Sequence, residues 1–127
     1  MSDYSITELN ISDQGLVNLP DDIDKYTNIK ILNCRNNNIT SLDNLPPTLQ
    51  WLFCSNNEIT NLDNLPPTLQ RLFCNENQIT NLDNIPPTLQ MLECDKNPLT
   101  YTFEPTLENI RNYNNYENLS RKRLKLV

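Results

Sequence analysis

Apolar residues recur along this chain in one order, L-x-x-L-x-C-x-x-N-x-I, as in Leu49, Leu52, Cys54, Asn57 and Ile59. The order returns every 20 residues. Leu42–Asn61 reads LDNLPPTLQWLFCSNNEITN, Leu62–Asn81 reads LDNLPPTLQRLFCNENQITN, and Leu82–Tyr101 reads LDNIPPTLQMLECDKNPLTY. A more diverged copy, Asp22–Ser41, keeps Ile29, Leu32, Cys34, Asn37 and Ile39 in phase. A looser one offers Ile6, Leu9, Ile11, Gln14 and Leu16, followed by a 23-residue step to Ile29. Repetition at such a period means that each copy is one unit of a stacked array.

Within each copy, Leu52 and Cys54 alternate with Trp51 and Phe53, the period of a strand with one face buried. One such strand cannot bury its own face. Parallel strands from successive coils, stacked at ~4.8 Å, bury a shared core. Strands are expected near residues 8–11, 31–34, 51–54, 71–74 and 91–94, with Leu49, Ile59, Leu62 and Leu65 completing the inward set. The Pro-Pro pairs at 46–47, 66–67 and 86–87 exclude a helix on the return leg, because proline lacks an N–H and the second ring pushes the first residue out of the helical region.

The pattern L-x-x-L-x-C-x-x-N-x-I, recurring in register over residues 6–101, resembles the leucine-rich repeat. The resemblance is to its short form, found in bacterial effector proteins and in proteins of giant DNA viruses. It implies an α/β-class, right-handed solenoid with short parallel strands on the concave side and an extended, polyproline-like convex side. Residues 1–104 form the repeat body. Residues 105–127 break the repeat and form a short helical cap with a basic tail, Leu107, Ile110, Tyr113 and Leu119 covering the last coil of Leu92 and Cys94.

Composition narrows the function. The formal charge is −6, yet 5 of the 10 Lys and Arg residues and only 2 of the 16 Asp and Glu residues lie in 105–127. The acidic repeat body is expected to repel nucleic acid. The run Arg121-Lys122-Arg123-Leu124-Lys125 reads as a solvated helix end, with nuclear import or an acidic partner as the alternatives. No apolar run suits a membrane span, and Met-Ser-Asp-Tyr-Ser is unlike an export leader. A cytoplasmic or nuclear protein is the reading. The abundance of Asn and the lack of Ala fit an AT-rich genome, such as that of a giant virus or its amoebal host; a host-cell or virion location follows if the source is viral.

Three ladders follow from the period. Cys34, Cys54, Cys74 and Cys94 take the same inward position in successive coils, where cysteine serves as a small apolar filler, free and reduced. A file of residues ~4.8 Å apart suits neither a disulfide nor a tetrahedral zinc. Asn37, Asn57, Asn77 and Asn97 are expected to pair with backbone groups of their own coil and the next. Gln14 departs from that pattern. Asp43, Asp63 and Asp83 are expected to accept hydrogen bonds from N–H groups of their own turns, with calcium binding as the alternative. No metal and no cofactor is assigned.

The copies starting at Leu42 and Leu62 agree at 16 of 20 positions. They differ at Trp51/Arg71, Ser55/Asn75, Asn56/Glu76 and Glu58/Gln78, and the first three pairs lie on or just after the strand, facing outward. Divergence confined largely to one face is what a binding surface leaves. Stacking puts Glu8, Ile31, Trp51, Arg71 and Met91 in one column and Asn10, Asn33, Phe53, Phe73 and Glu93 in the next. Ile31, Trp51, Phe53, Phe73 and Met91 make one apolar patch with Arg71 in cation–π reach of Trp51, and Arg35, Glu76, Glu93 and Asp95 form its rim. Histidine is absent, the thiols are expected to be buried, and one glycine cannot build a phosphate loop, so an enzyme is not expected. The reading is a protein-binding module with an unidentified protein partner and no membrane. A self-associating structural or virion-associated protein, including a homodimer, is the alternative.

Overall fold

A computed structural model describes residues 2–125, with the side chains of Leu124 and Lys125, at the end of the basic run, outside the described set. Five strands of three residues form one parallel sheet in chain order: β1 (Glu8–Asn10), β2 (Ile31–Asn33), β3 (Trp51–Phe53), β4 (Arg71–Phe73) and β5 (Met91–Glu93). One helix, α1 (Leu107–Lys125), follows. The molecule is a parallel-strand solenoid, each coil contributing one strand and one return leg.

Each strand ends one residue before the expected boundary. The fourth residue still donates across the sheet, Cys34 to the Phe53 carbonyl at 2.8 Å, but the chain is already turning. Two residues later the backbone is left-handed in every coil: Asp13, Asn36, Asn56, Glu76 and Lys96 have φ between 54° and 58°. Asn and Asp tolerate that conformation because their short side chains bond locally; Glu and Lys do not. The exposed pair Lys96–Glu76, 3.8 Å apart, adds little to offset the strain. Glu76→Asn is therefore expected to raise stability by about 0.5–1 kcal/mol. A urea midpoint that fails to rise at unchanged slope would count against strain at this turn.

The return legs are not fully extended. Each Pro-Pro pair opens a tight turn in which the Leu49, Leu69 and Leu89 N–H groups donate to the carbonyls of Pro46, Pro66 and Pro86 at 3.1–3.2 Å. The second proline of each pair sits where a turn wants φ near −65°, and the first is buried among the leucines. The coil that lacks Pro-Pro instead carries a 3-10 turn at Ile23–Lys25, which absorbs part of its longer step.

The core is one continuous file. Ile29, Leu32, Leu49, Leu52, Leu69 and Leu72 are fully buried, and each such side chain stabilises by about 1.5–3 kcal/mol. Leu9 and Leu92, in the terminal coils, are half-buried, as is Leu65. Ile110 of α1 is fully buried against the last coil and Leu107 packs on the same core. Leu119 does not cover that coil. It is 55% exposed, because it lies on the face of α1 opposite Ile110.

α1 also stands in for the missing next coil. In the coils, the Thr68 and Thr88 hydroxyls donate to the carbonyls of Leu49 and Leu69 in the coil before, at 2.7 Å. One period after Thr88 the chain has Glu108 in place of threonine, and the Arg111 guanidinium donates to the Leu89 carbonyl instead. Asn114 Nδ2 reaches the Leu82 carbonyl at 3.1 Å, and Tyr113 packs against Tyr101 and Phe103.

Candidate functional site

The solvent side of the sheet presents two columns in register. One runs Glu8, Ile31, Trp51, Arg71 and Met91; the other runs Asn10, Asn33, Phe53, Phe73 and Glu93. Both follow from the alternation within each strand: the middle residue points into the core, so its neighbours point out together. Parallel stacking at constant register then lines like positions up across the coils.

Three contacts organise this face. The Arg71 guanidinium lies over the Trp51 ring, 4.3 Å from its centroid. Phe53 and Phe73 stack in parallel at 4.6 Å with an interplanar angle of 2°. Arg35 lies over the Phe53 ring at 5.3 Å. Trp51 is half-buried beneath Arg71 rather than freely exposed. Ile31, Phe53 and Phe73 are also half-buried, whereas Met91 is 43% exposed. Glu93 and Asp95 stand exposed on the last coil, and Asp95 lies beyond β5 rather than within it. The Arg35–Phe53 contact was not anticipated in the sequence; its only signal is a cation one coil back and two residues on in phase. A further outward pair, the Ser55 hydroxyl donating to Asn75 Oδ1 at 2.7 Å, joins two of the positions at which the copies diverge.

Beneath this face the asparagine ladder fixes the turns. Asn77 Nδ2 faces the carbonyls of Cys54 and Cys74 at 3.0 Å and of Asn75 at 3.3 Å, while its Oδ1 accepts from the Ile59 N–H at 3.0 Å. Asn57 repeats this one coil earlier. Asn97 does so one coil later, half-buried. Each amide thus serves the coil before it as well as its own. That accounts for Gln14: the first coil has no coil before it, and its own turn is held by Asn37, whose Oδ1 accepts from the Gln14 and Leu16 N–H groups.

The four cysteines are free and buried. Burial pushes the Cys34 thiol up to about 12 and Cys94, in the terminal coil with fewer atoms around it, up to about 11. Cys54 and Cys74 are also raised, by burial first and then by the neighbouring thiols. Among the described residues no group of three or more His, Cys, Asp and Glu is placed to hold a metal ion. Nor, among them, is any helix long and apolar enough to cross a membrane.

The aspartate ladder bonds differently from the sequence expectation. Asp43 and Asp63 accept from Asn64 and Asn84 of the following coil, at 3.4 and 2.9 Å, and Asp83 accepts from the Tyr101 hydroxyl at 2.6 Å. The N–H groups of Asp63 and Asp83 donate to Asn61 and Asn81, so the local turn is closed by asparagine, not by the carboxylate. Asp43 also accepts from the Ser41 hydroxyl of its own turn, at 3.2 Å.

No protein-family model matches the chain, and no curated protein matches it. Among solved structures, a Shigella effector leucine-rich-repeat domain superposes with a TM-score of 0.56 at 27% identity, covering 77% of this chain and 53% of that one. The chain thus spans about half the length of that neighbour. Its 20-residue coils, parallel sheet and C-terminal helix give it the fold of a leucine-rich-repeat solenoid, similar to the repeat domain of that bacterial effector.

Proposed function

We propose that the solvent side of the sheet binds a partner protein, with Trp51, Phe53 and Phe73 as the central anchors and Ile31, Arg71 and Met91 beside them. The observation that carries this is the packing of three aromatic rings on the outside of the sheet, two of them held under guanidinium groups. Large rings on a water-facing surface cost solubility and add nothing to the core; interface centres are enriched in them and in arginine. α1 does not account for them, since its hydrogen bonds and ring contacts go to the last coil and its return leg. Arg35, Glu93 and Asp95 form the charged rim, where side chains govern association rate and salt dependence more than final affinity.

The module is read as non-catalytic. No histidine is present, and the buried thiols are held protonated, so neither the usual base nor an activated nucleophile is offered. The acidic repeat body disfavours nucleic acid as the partner. The likeness to an effector's repeat domain supports a partner met in the cytoplasm or nucleus of a host cell; the asparagine-rich composition supports a viral source.

Trp51→Ala is expected to weaken partner binding at least about tenfold, since truncating a central aromatic typically costs ~2 kcal/mol or more and ~1.4 kcal/mol is a factor of ten. The ring is half-buried, so the fold should lose no more than about 1 kcal/mol. The test is affinity capture with wild type, Trp51→Ala and Phe73→Ala, followed by titration of the captured protein against each. Equal affinity for all three would overturn the reading. Self-association through the same face is the other outcome: mass that rises with concentration in the wild type and not in Trp51→Ala would replace an external partner with a second copy.

A further inference from the structure

We propose that the slot beside Phe73 takes an arginine side chain of the partner, its guanidinium stacked on the open face of the ring and paired with Glu93. The proposal rests on the binding role of this face and specifies what one position on it recognises. The stack along the second column has a defined order. Phe73 covers one face of Phe53 at 4.6 Å, so Arg35, also over that ring, takes the other. The sequence of groups is guanidinium, ring, ring, and then, on the adjoining strand in register with Phe73, Glu93.

A ring face carries partial negative charge, and here the open one meets a carboxylate. That combination repels anions and attracts a flat cation. Glu93 is exposed and makes no ion pair among the described residues. The groove at this point is open and lined by Phe53, Phe73, Asn75, Glu76 and Glu93. Glu76 already faces Lys96, which leaves Glu93 as the charge to be matched.

The molecule itself shows which cation this face accepts. The two cations that lie over rings on the sheet, Arg71 over Trp51 and Arg35 over Phe53, are both guanidinium groups. A guanidinium is flat enough to stack on a ring face, and its fork matches a carboxylate bidentately; an ammonium does neither. At Trp51 the guanidinium comes from the register partner on the next strand. At Phe73 that position holds Glu93, so the cation must come from outside the chain.

The probe is the blocked peptide acetyl-Gly-Arg-Gly-amide, titrated at constant ionic strength with NMR detection of the Phe73 ring and the Glu93 amide. The lysine peptide and the all-glycine peptide serve as controls. The arginine peptide is expected to shift both signals along a saturable curve, and the lysine peptide to shift them at least threefold more weakly. Glu93→Gln, a change at an exposed position, is expected to weaken the response at least threefold. Glu93→Arg should abolish it by filling the slot from within the chain, as Arg71 does over Trp51. Unshifted Phe73 and Glu93 signals, an equal response to lysine, or an undiminished response in Glu93→Gln would each overturn the proposal. None of these results touches the dependence of partner capture on Trp51, so the two readings fail separately.

Discussion

Asn77→Ala is expected to lower stability by about 3–5 kcal/mol, as much as truncating a fully buried core leucine. The side chain is 3% exposed and makes four hydrogen bonds to backbone groups of two coils. Each bond contributes about 1 kcal/mol net, and removing the amide strands buried carbonyls and an N–H that water cannot reach. Asn77→Asp separates hydrogen bonding from shape. It keeps the volume but turns an oxygen toward the carbonyls of Cys54, Cys74 and Asn75, so it should be at least as damaging as alanine near neutral pH. Gln78→Ala, one residue on and exposed, should stay within about 0.5 kcal/mol. Urea unfolding of the three variants measures this; a loss below about 1 kcal/mol in Asn77→Ala would mean that the ladder follows the fold rather than holding it.

The strands and their register were legible because the 20-residue period states them several times over. Once Leu52 and Cys54 face inward, Trp51 and Phe53 have no choice of side, and a constant period places Trp51 beside Arg71. The asparagine ladder was legible for the same reason. What was not legible depends on distances between coils rather than on spacing along one. The partner of Asp63 is Asn84, 21 residues away, and only the pitch of the return leg brings them together. Arg35 over Phe53 is a diagonal contact of the same kind.

The ends of the array escaped the pattern altogether, because there the repeat stops supplying its own partners. Arg111 takes over the role of the threonine hydroxyl with a different functional group in a different element, and Tyr101 takes over that of Asn64 and Asn84. Periodicity says which backbone groups are orphaned at the last coil; it does not say which side chain will reach them. Leu119 was misplaced for a different reason. It lies about two and a half helical turns beyond Ile110, on the opposite face of α1, while Asn114 and Asn118 face the last coil.

Raising the pH from 8 to 11 is expected to unfold the protein. The unfolded thiols titrate near 9.0, whereas burial raises Cys34 to about 12 and lifts Cys54 and Cys74 as well. Above pH 9 the unfolded chain therefore releases protons that the folded chain keeps. Fewer bound protons in the unfolded state means that stability falls as pH rises, by up to about 1.4 kcal/mol per pH unit for each such thiol. The contribution is intact below pH 9 and is lost progressively as pH climbs toward the folded values. Three central thiols over two units amount to roughly 8 kcal/mol at most, comparable to the whole stability of a small domain. Tyr101, raised first by burial and then by its hydrogen bond to Asp83, acts in the same direction at higher pH. Urea midpoints at pH 7, 9, 10 and 10.5 in a reducing buffer should be flat up to 9 and then drop steeply. Cys54→Ala should flatten that drop by up to about 1.4 kcal/mol per unit, because it removes one of the buried thiols that the folded chain keeps protonated. In the native protein at pH 8 none of the four should react with a thiol reagent on a timescale shorter than unfolding, and all four should react in denaturant. Stability that holds level to pH 11, or rapid native labelling of Cys54, would show that the ladder is wet, and the file of sulfurs would then have to be read as chemistry instead of packing.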